Sequence, residues 1–86
     1  MVIDFHKSWH RQAVKLKPAQ KQRLKAALLL FQSEPNHPDL YNHPLTGEWK
    51  GHRSISFGGD WRAHYIAKGK DVALFVAVGT HNQLYK

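Results

Sequence analysis

The hydrophobic period of this chain changes once, near its middle, from the 3.6-residue repeat of helices to the two-residue repeat of strands. After a short alternating segment, Val2 to Phe5, which predicts a first strand, Trp9, Ala13 and Leu16 recur at helical spacing, with Lys7, Arg11 and Lys15 on a separate charged stripe. Lys17-Pro18 interrupts that pattern. Proline lacks an amide donor and disfavours helix in the residue before it, yet suits the first turn of a new helix, so a second helix is predicted from Pro18. Leu24, Ala27, Leu28 and Phe31 fall at i, i+3, i+4 and i+7, and Glu34-Pro35 ends the run. Asn36 to Gly47, with two prolines, reads as loop.

Beyond Gly47 the alternation takes over. Arg53 to Phe57, Trp61 to Ile66 and Val72 to Val78 are three predicted strands, joined at Gly58-Gly59 and at Lys68-Gly69-Lys70 as an antiparallel meander. Strict alternation sets Leu74, Val76 and Val78 against Phe75 and the alanines, and the last strand, apolar on both faces, is predicted to be covered. A strand, a helical hairpin and a meander in that order (β-α-α-β-β-β) give an α+β two-layer sandwich. At 86 residues the whole chain, 1–86, is expected to form one domain.

Thirteen Lys and Arg against six Asp and Glu leave a formal charge of +7, which calls for a polyanionic or acidic partner. With no cysteine, disulfide scaffolds, thiol nucleophiles and Cys-based zinc sites are excluded, and no apolar run approaches the ~20 residues of a membrane span. A cytoplasmic protein with no membrane partner is expected. His6 and His10 share a helical spacing but no acid lies near enough to complete a metal set, so neither metal nor cofactor is expected. Paired carboxylates and a phosphate-cradling glycine loop are also missing, which argues against glycoside and nucleotide hydrolysis. The helix junction lacks the turn glycine of a helix-turn-helix reader.

What remains is a group of phosphate-binding and proton-donating side chains on the meander: Lys50, His52, Arg53, Arg62, His64, His81 and Tyr85. Arg62 and His64 share one face of the middle strand, opposite Trp61, Ala63 and Tyr65, and are expected to meet solvent or a ligand. His81 falls just past a strand end, rigidly anchored and exposed. Metal-free RNA cleavage needs a base for the ribose 2′-hydroxyl, an acid for the leaving 5′-oxygen and cations for the charge between them. Histidine, which titrates near pH ~6.5 in model peptides, and arginine, whose planar fork grips phosphate, supply these. Trp61 or Tyr85 would stack a splayed base, as in single-strand RNA readers.

Three ordered blocks, Asn42-His43-Pro44-Leu45-Thr46-Gly47-Glu48-Trp49-Lys50-Gly51-His52-Arg53, Asp60-Trp61-Arg62 and Gly79-Thr80-His81-Asn82-Gln83-Leu84-Tyr85, resemble the RelE/ParE-type bacterial toxins and, within them, the YafQ-like messenger-RNA interferases. The resemblance implies a RelE-like sandwich and a ribosome-associated endoribonuclease. It implies His81 as general acid, His43 as an active-site histidine in the loop before the meander, Asp60 and Trp61 as the family's Asp-Trp pair, and Tyr85 as the aromatic near the scissile bond. Arg62 matches the phosphate-binding arginine of the RelE branch, and Lys50, Arg53, Trp61 and His64 are assigned to RNA contact. Two positions depart from the YafQ pattern: Ser56 stands in place of a histidine and Ala77 in place of an arginine. The implied partners are an acidic antitoxin and the ribosomal A site with its messenger RNA. Two other outcomes stay open: a ParE-like toxin that binds DNA gyrase without chemistry, and a degenerate relative that only pairs with its antitoxin.

Overall fold

The computed structural model describes residues 1–85. Strand β1 (Val2–Phe5) leads into helix α1 (Lys7–Ala13) and helix α2 (Pro18–Ser33), followed by a two-residue strand β2 (His43–Pro44) and a meander of β3 (Arg53–Ser56), β4 (Trp61–Lys68) and β5 (Val72–Thr80). A single helical turn, α3 (His81–Leu84), is the last element of the described residues, and short 3-10 turns occupy Pro38–Leu40 and Gly47–Trp49. The α+β arrangement of strand, helical hairpin and meander is the predicted one.

Local chemistry sets the helix limits. The His6 imidazole accepts from the Ser8 amide and caps α1, while Pro18 opens α2 after an extended Lys17. At the far end Glu34 N–H still reaches Leu30 O at 2.7 Å, and Pro35 stops the ladder.

The sheet order is β1-β5-β4-β3-β2. Strand β1 lies parallel to β5, pairing Val2 with Val72 and Phe5 with Phe75, so β5 is an interior strand, as its apolar faces require. The helices cover one face. Trp9, Leu24, Ala27 and Phe31 meet Ile55, Ala63, Tyr65, Phe75 and Val78 in the core. Phe31, fully buried, stands edge-on to Tyr65 and Phe75 with centroids 4.9 and 5.3 Å away.

Two sequence expectations fail here. The stretch Asn36 to Gly47 contains β2, which pairs His43 with Ser54 and Pro44 with Arg53, instead of being loop throughout. Strict alternation along β5 is also broken: Tyr65 faces Phe75 and His64 faces Ala77, leaving Val76 as the extra residue of a bulge. Phe75 and Val78 therefore both enter the core. Helix α1 holds the bulge, with Ser8 Oγ donating to Val76 O at 2.9 Å and Val78 N–H donating to Gln12 Oε1 at 2.7 Å. The bulge also aligns the outward row of the sheet, His43, Ser54, His64 and Ala77, strand by strand.

Candidate active site

The sheet face away from the helices carries two cross-strand rows, His43–Ser54–His64–Ala77 and Ser56–Arg62–Gly79. Cross-strand partners point to the same side, so these rows share a surface that the core residues Ile55, Ala63 and Val78 do not reach.

His64 is the centre of that surface and has no exposed area. Trp49, from the 3-10 turn, stands edge-on over it at 4.4 Å, and the Tyr85 hydroxyl lies 3.2 Å from its Nε2. The expectation that His64 meets solvent or ligand is corrected by this cover, which comes from segments outside the strand pattern. Burial is the main cause that pushes the His64 pKa down to about 4; the positive charges of His52, His43, Arg62 and His81 push the same way. The ring is therefore neutral near pH 7. Those four groups are close enough to act on it, so His43, His52, Arg62, His81 and Tyr85 gather around one buried imidazole.

Arg62 is half-buried and fixed by its Nη1, which donates to Gly59 O at 2.7 Å, Trp61 O at 2.9 Å and Ser56 Oγ at 3.1 Å. Ser56, one of the two departures noted above, thus holds the guanidinium of its cross-strand neighbour. Among the described residues no bond occupies Nε or Nη2 of Arg62, which leaves a donor edge for an anion.

His81 opens α3, and its placement is built from backbone. Thr80 and Gln83 form a reciprocal capping box: Thr80 N–H donates to Gln83 Oε1 at 2.8 Å and Gln83 N–H to Thr80 Oγ1 at 3.2 Å. Gln83 folds back so closely that a Cβ on Gly79 would lie 2.8 Å from its Oε1, so any side chain there would have to push Gln83 out of the capping box. His81 N–H donates to Asp60 O at 2.8 Å, tying α3 to the β3–β4 turn. The exposed His81 ring lies 4.4 Å from the Tyr85 ring. Burial raises the Tyr85 pKa above its ordinary value, and the Arg62 charge draws it partly back.

His43 sits at the sheet edge against Tyr41, ring centroids 4.5 Å apart, with Nδ1 2.9 Å from Tyr41 O. A carbonyl only accepts, so Nδ1 carries the proton and Nε2 presents a lone pair. The Asp60 side chain is exposed, as is Lys50. Arg53 and Trp61 are not brought to this surface. Arg53 shares the parity of Ile55, and its Nε donates to Asn42 Oδ1 at 2.9 Å, where Asn42 also bonds Tyr65 Oη. Trp61 shares the parity of Ala63 and lines a cavity of ≈ 320 Å³ with Gln12, Lys15 and Gln83. Trp49 is the participant that residue-by-residue reading missed: its Nε1 donates to Leu84 O at 3.1 Å and clamps the C-terminal turn. The only signal for it was an aromatic residue in a glycine-flanked turn.

No cluster of three or more His, Asp or Glu that could hold a metal is found among the described residues. No helix among them is long and apolar enough to cross a membrane. On the opposite side of the molecule, α1, α2 and β1 enclose an apolar groove of ≈ 990 Å³ whose walls include Phe5, Trp9, Val14 and Leu29, with Arg11 and Lys25 also lining it.

Residues 2–86 match the family described as bacterial toxin of type II toxin-antitoxin system, YafQ. The fold is similar to the crystal structure of YafQ from E. coli strain BL21(DE3), at 28% identity over 98% of this chain and 97% of that one, with a TM-score of 0.76. It is also similar to YafQ in the E. coli DinJ–YafQ toxin–antitoxin complex, at 31% identity over 98% and 96% of the two chains and a TM-score of 0.73. A YoeB/ParE toxin from Agrobacterium tumefaciens shares the fold at 14% identity, 94% and 99% coverage and a TM-score of 0.76. No curated protein sequence matches the chain significantly.

Proposed function

Because the chain belongs to the YafQ family of bacterial toxins of type II toxin–antitoxin systems, we propose that it is an endoribonuclease that cuts messenger RNA at the ribosomal A site, in the cytoplasm, without a metal. The observation that carries this reading is the convergence of His81, Tyr85 and Arg62: the two rings lie 4.4 Å apart at a capped strand end, beside a guanidinium tethered through one nitrogen. Pre-placed donors of this kind act where negative charge develops.

In the proposed reaction the ribose 2′-hydroxyl gives its proton to a base and its oxygen attacks the adjacent phosphorus. The bond to the 5′-oxygen then breaks, and that oxygen takes a proton from His81, leaving a 2′,3′-cyclic phosphate. His43, with its Nε2 lone pair outward, is the base, and Arg62 holds the phosphate oxygens through its free edge. Tyr85 orients the scissile nucleotide. Asp60 acts through its backbone carbonyl, which fixes His81. Lys50, with the general charge of +7, contributes attraction to ribosomal and messenger RNA. Trp61 and Arg53, turned to the other face, support the site rather than contact the reacting phosphate.

The antitoxin belongs to the opposite side. YafQ of E. coli is found in complex with DinJ, and in this chain the apolar groove with Arg11, Lys21 and Lys25 along it suits an acidic amphipathic segment.

A purified translation reaction with a reporter messenger RNA tests the reading. Wild type is expected to create new 5′ ends, and His81→Ala and Arg62→Ala to reduce them by about 10²–10⁴-fold. Growth arrest in cells with no new ends in the reaction would overturn it in favour of a non-catalytic, ParE-like toxin.

A further inference from the structure

The turn that starts at His81 and is capped by Tyr85 is four residues long, too short to hold itself. The capping box and the Trp49–Leu84 bond secure its backbone. The hydrogen bond between Tyr85 and His64 is the contact that grips a side chain of the site. We infer that His64 is a positioning residue whose Nε2–H donates to the Tyr85 oxygen and so turns the phenol's own hydrogen outward, toward substrate. The inference rests on the nuclease reading above.

Three observations support it. First, His64 works against stability. It is fully buried, and among the described residues its Nδ1 has no partner and Ser54 Oγ, directly across the strand pair, is buried and unpaired as well. An aliphatic side chain would remove an unsatisfied polar atom from the interior, so packing does not account for an imidazole at this place. Second, the orphan atom selects the tautomer. A buried N–H without an acceptor is rarer and more costly than a buried acceptor without a donor, which leaves Nδ1 bare and the proton on Nε2. Third, burial first of all, beneath Trp49 and beside Tyr85, keeps the ring uncharged, and the positive charges of His52, His43, Arg62 and His81 push the same way. A neutral Nε2–H can donate to the phenol oxygen, and the phenol hydrogen then points elsewhere.

Two measurements test this on the intact protein. Long-range ¹H–¹⁵N spectra of the imidazoles are expected to show His64 as the Nε2–H tautomer, unchanged between pH 8 and 5. A protonated ring or the Nδ1–H tautomer in that range overturns the inference. Single-turnover cleavage is expected to fall about 10-fold at saturating RNA in both His64→Leu and Tyr85→Phe, with KM within twofold of wild type. The double variant should lose no more than either single one, because both remove the same bond. His64→Gln, whose amide can reach the same oxygen, is expected to recover at least a third of the activity and guards against a folding artefact. Wild-type rates in His64→Leu, or multiplied losses in the double variant, overturn the role. If wild type cuts no RNA at all, the nuclease reading falls, and the spectra alone decide whether His64 holds Tyr85 in the stated way.

Discussion

The two faces of the sheet use the same strands for opposite ends. On the helix side Phe31, Tyr65, Phe75, Ile55 and Ala63 bury apolar area with every contact satisfied. On the outer side the same strands present His64, Ser54 and Arg62, with Trp49 and Tyr85 closing over His64, and among the described residues Ser54 Oγ, His52 Nδ1 and His64 Nδ1 have no partner. One face supplies stability. The other spends some of it to hold polar groups close together, so substitutions on the two faces should separate folding from chemistry.

The largest effect is expected on the core face. Phe31→Ala removes a fully buried ring that touches two others and should lower stability by about 3–5 kcal/mol in urea unfolding. A cost under ~1 kcal/mol would break the contrast. Next comes the pH response of the outer face. The unfolded imidazole of residue 64 binds its proton near pH 6.5 and the folded one at about 4, so the unfolded chain holds more protons between those values. Stability should be greatest above pH 6.5 and fall by roughly 3 kcal/mol on acidification to pH 4. His64→Leu, with His43, His52, His81 and Arg62 still in place, should remove most of that slope; an unchanged slope would assign it elsewhere.

Gly79→Ala should be milder. The added methyl displaces Gln83 and weakens the capping box, costing about 0.5–2 kcal/mol, with faster amide exchange confined to residues 80–85 and a several-fold loss of cleavage. Exchange spread over the helices would show that the turn is not the separate unit it is taken to be. The smallest effect on the isolated toxin is expected in the groove: Leu29, 59% exposed, should tolerate Ser within ~0.5 kcal/mol. Its affinity for the cognate antitoxin should nonetheless drop at least tenfold by calorimetry, and an unchanged affinity would remove the groove as the docking face.

Much of the core face was legible from spacing. Leu24, Ala27 and Phe31 are buried as their periodicity predicts, and Pro18 and Glu34-Pro35 bound α2. The YafQ-like blocks also led to the right family. The outer face was legible only in part. The alternation along β4 correctly paired Arg62 with His64, but exposure did not follow from it, because Trp49 and Tyr85 close over His64 from 15 residues before and 21 residues after it in sequence. Arg53 belongs to the same basic stretch as Lys50 yet turns to Asn42, since its parity in β3 is that of Ile55.

Periodicity, proline positions and charge are properties of neighbouring residues, so the sequence alone determined the hairpin, the three main strands, the basic character and the motif blocks. The parallel docking of β1 on β5, the bulge at Val76, the two-residue β2 and the burial of His64 depend on which distant segments pack together. Tertiary structure decided these, because the free energy that fixes a register or covers a ring comes from contacts that no local pattern encodes.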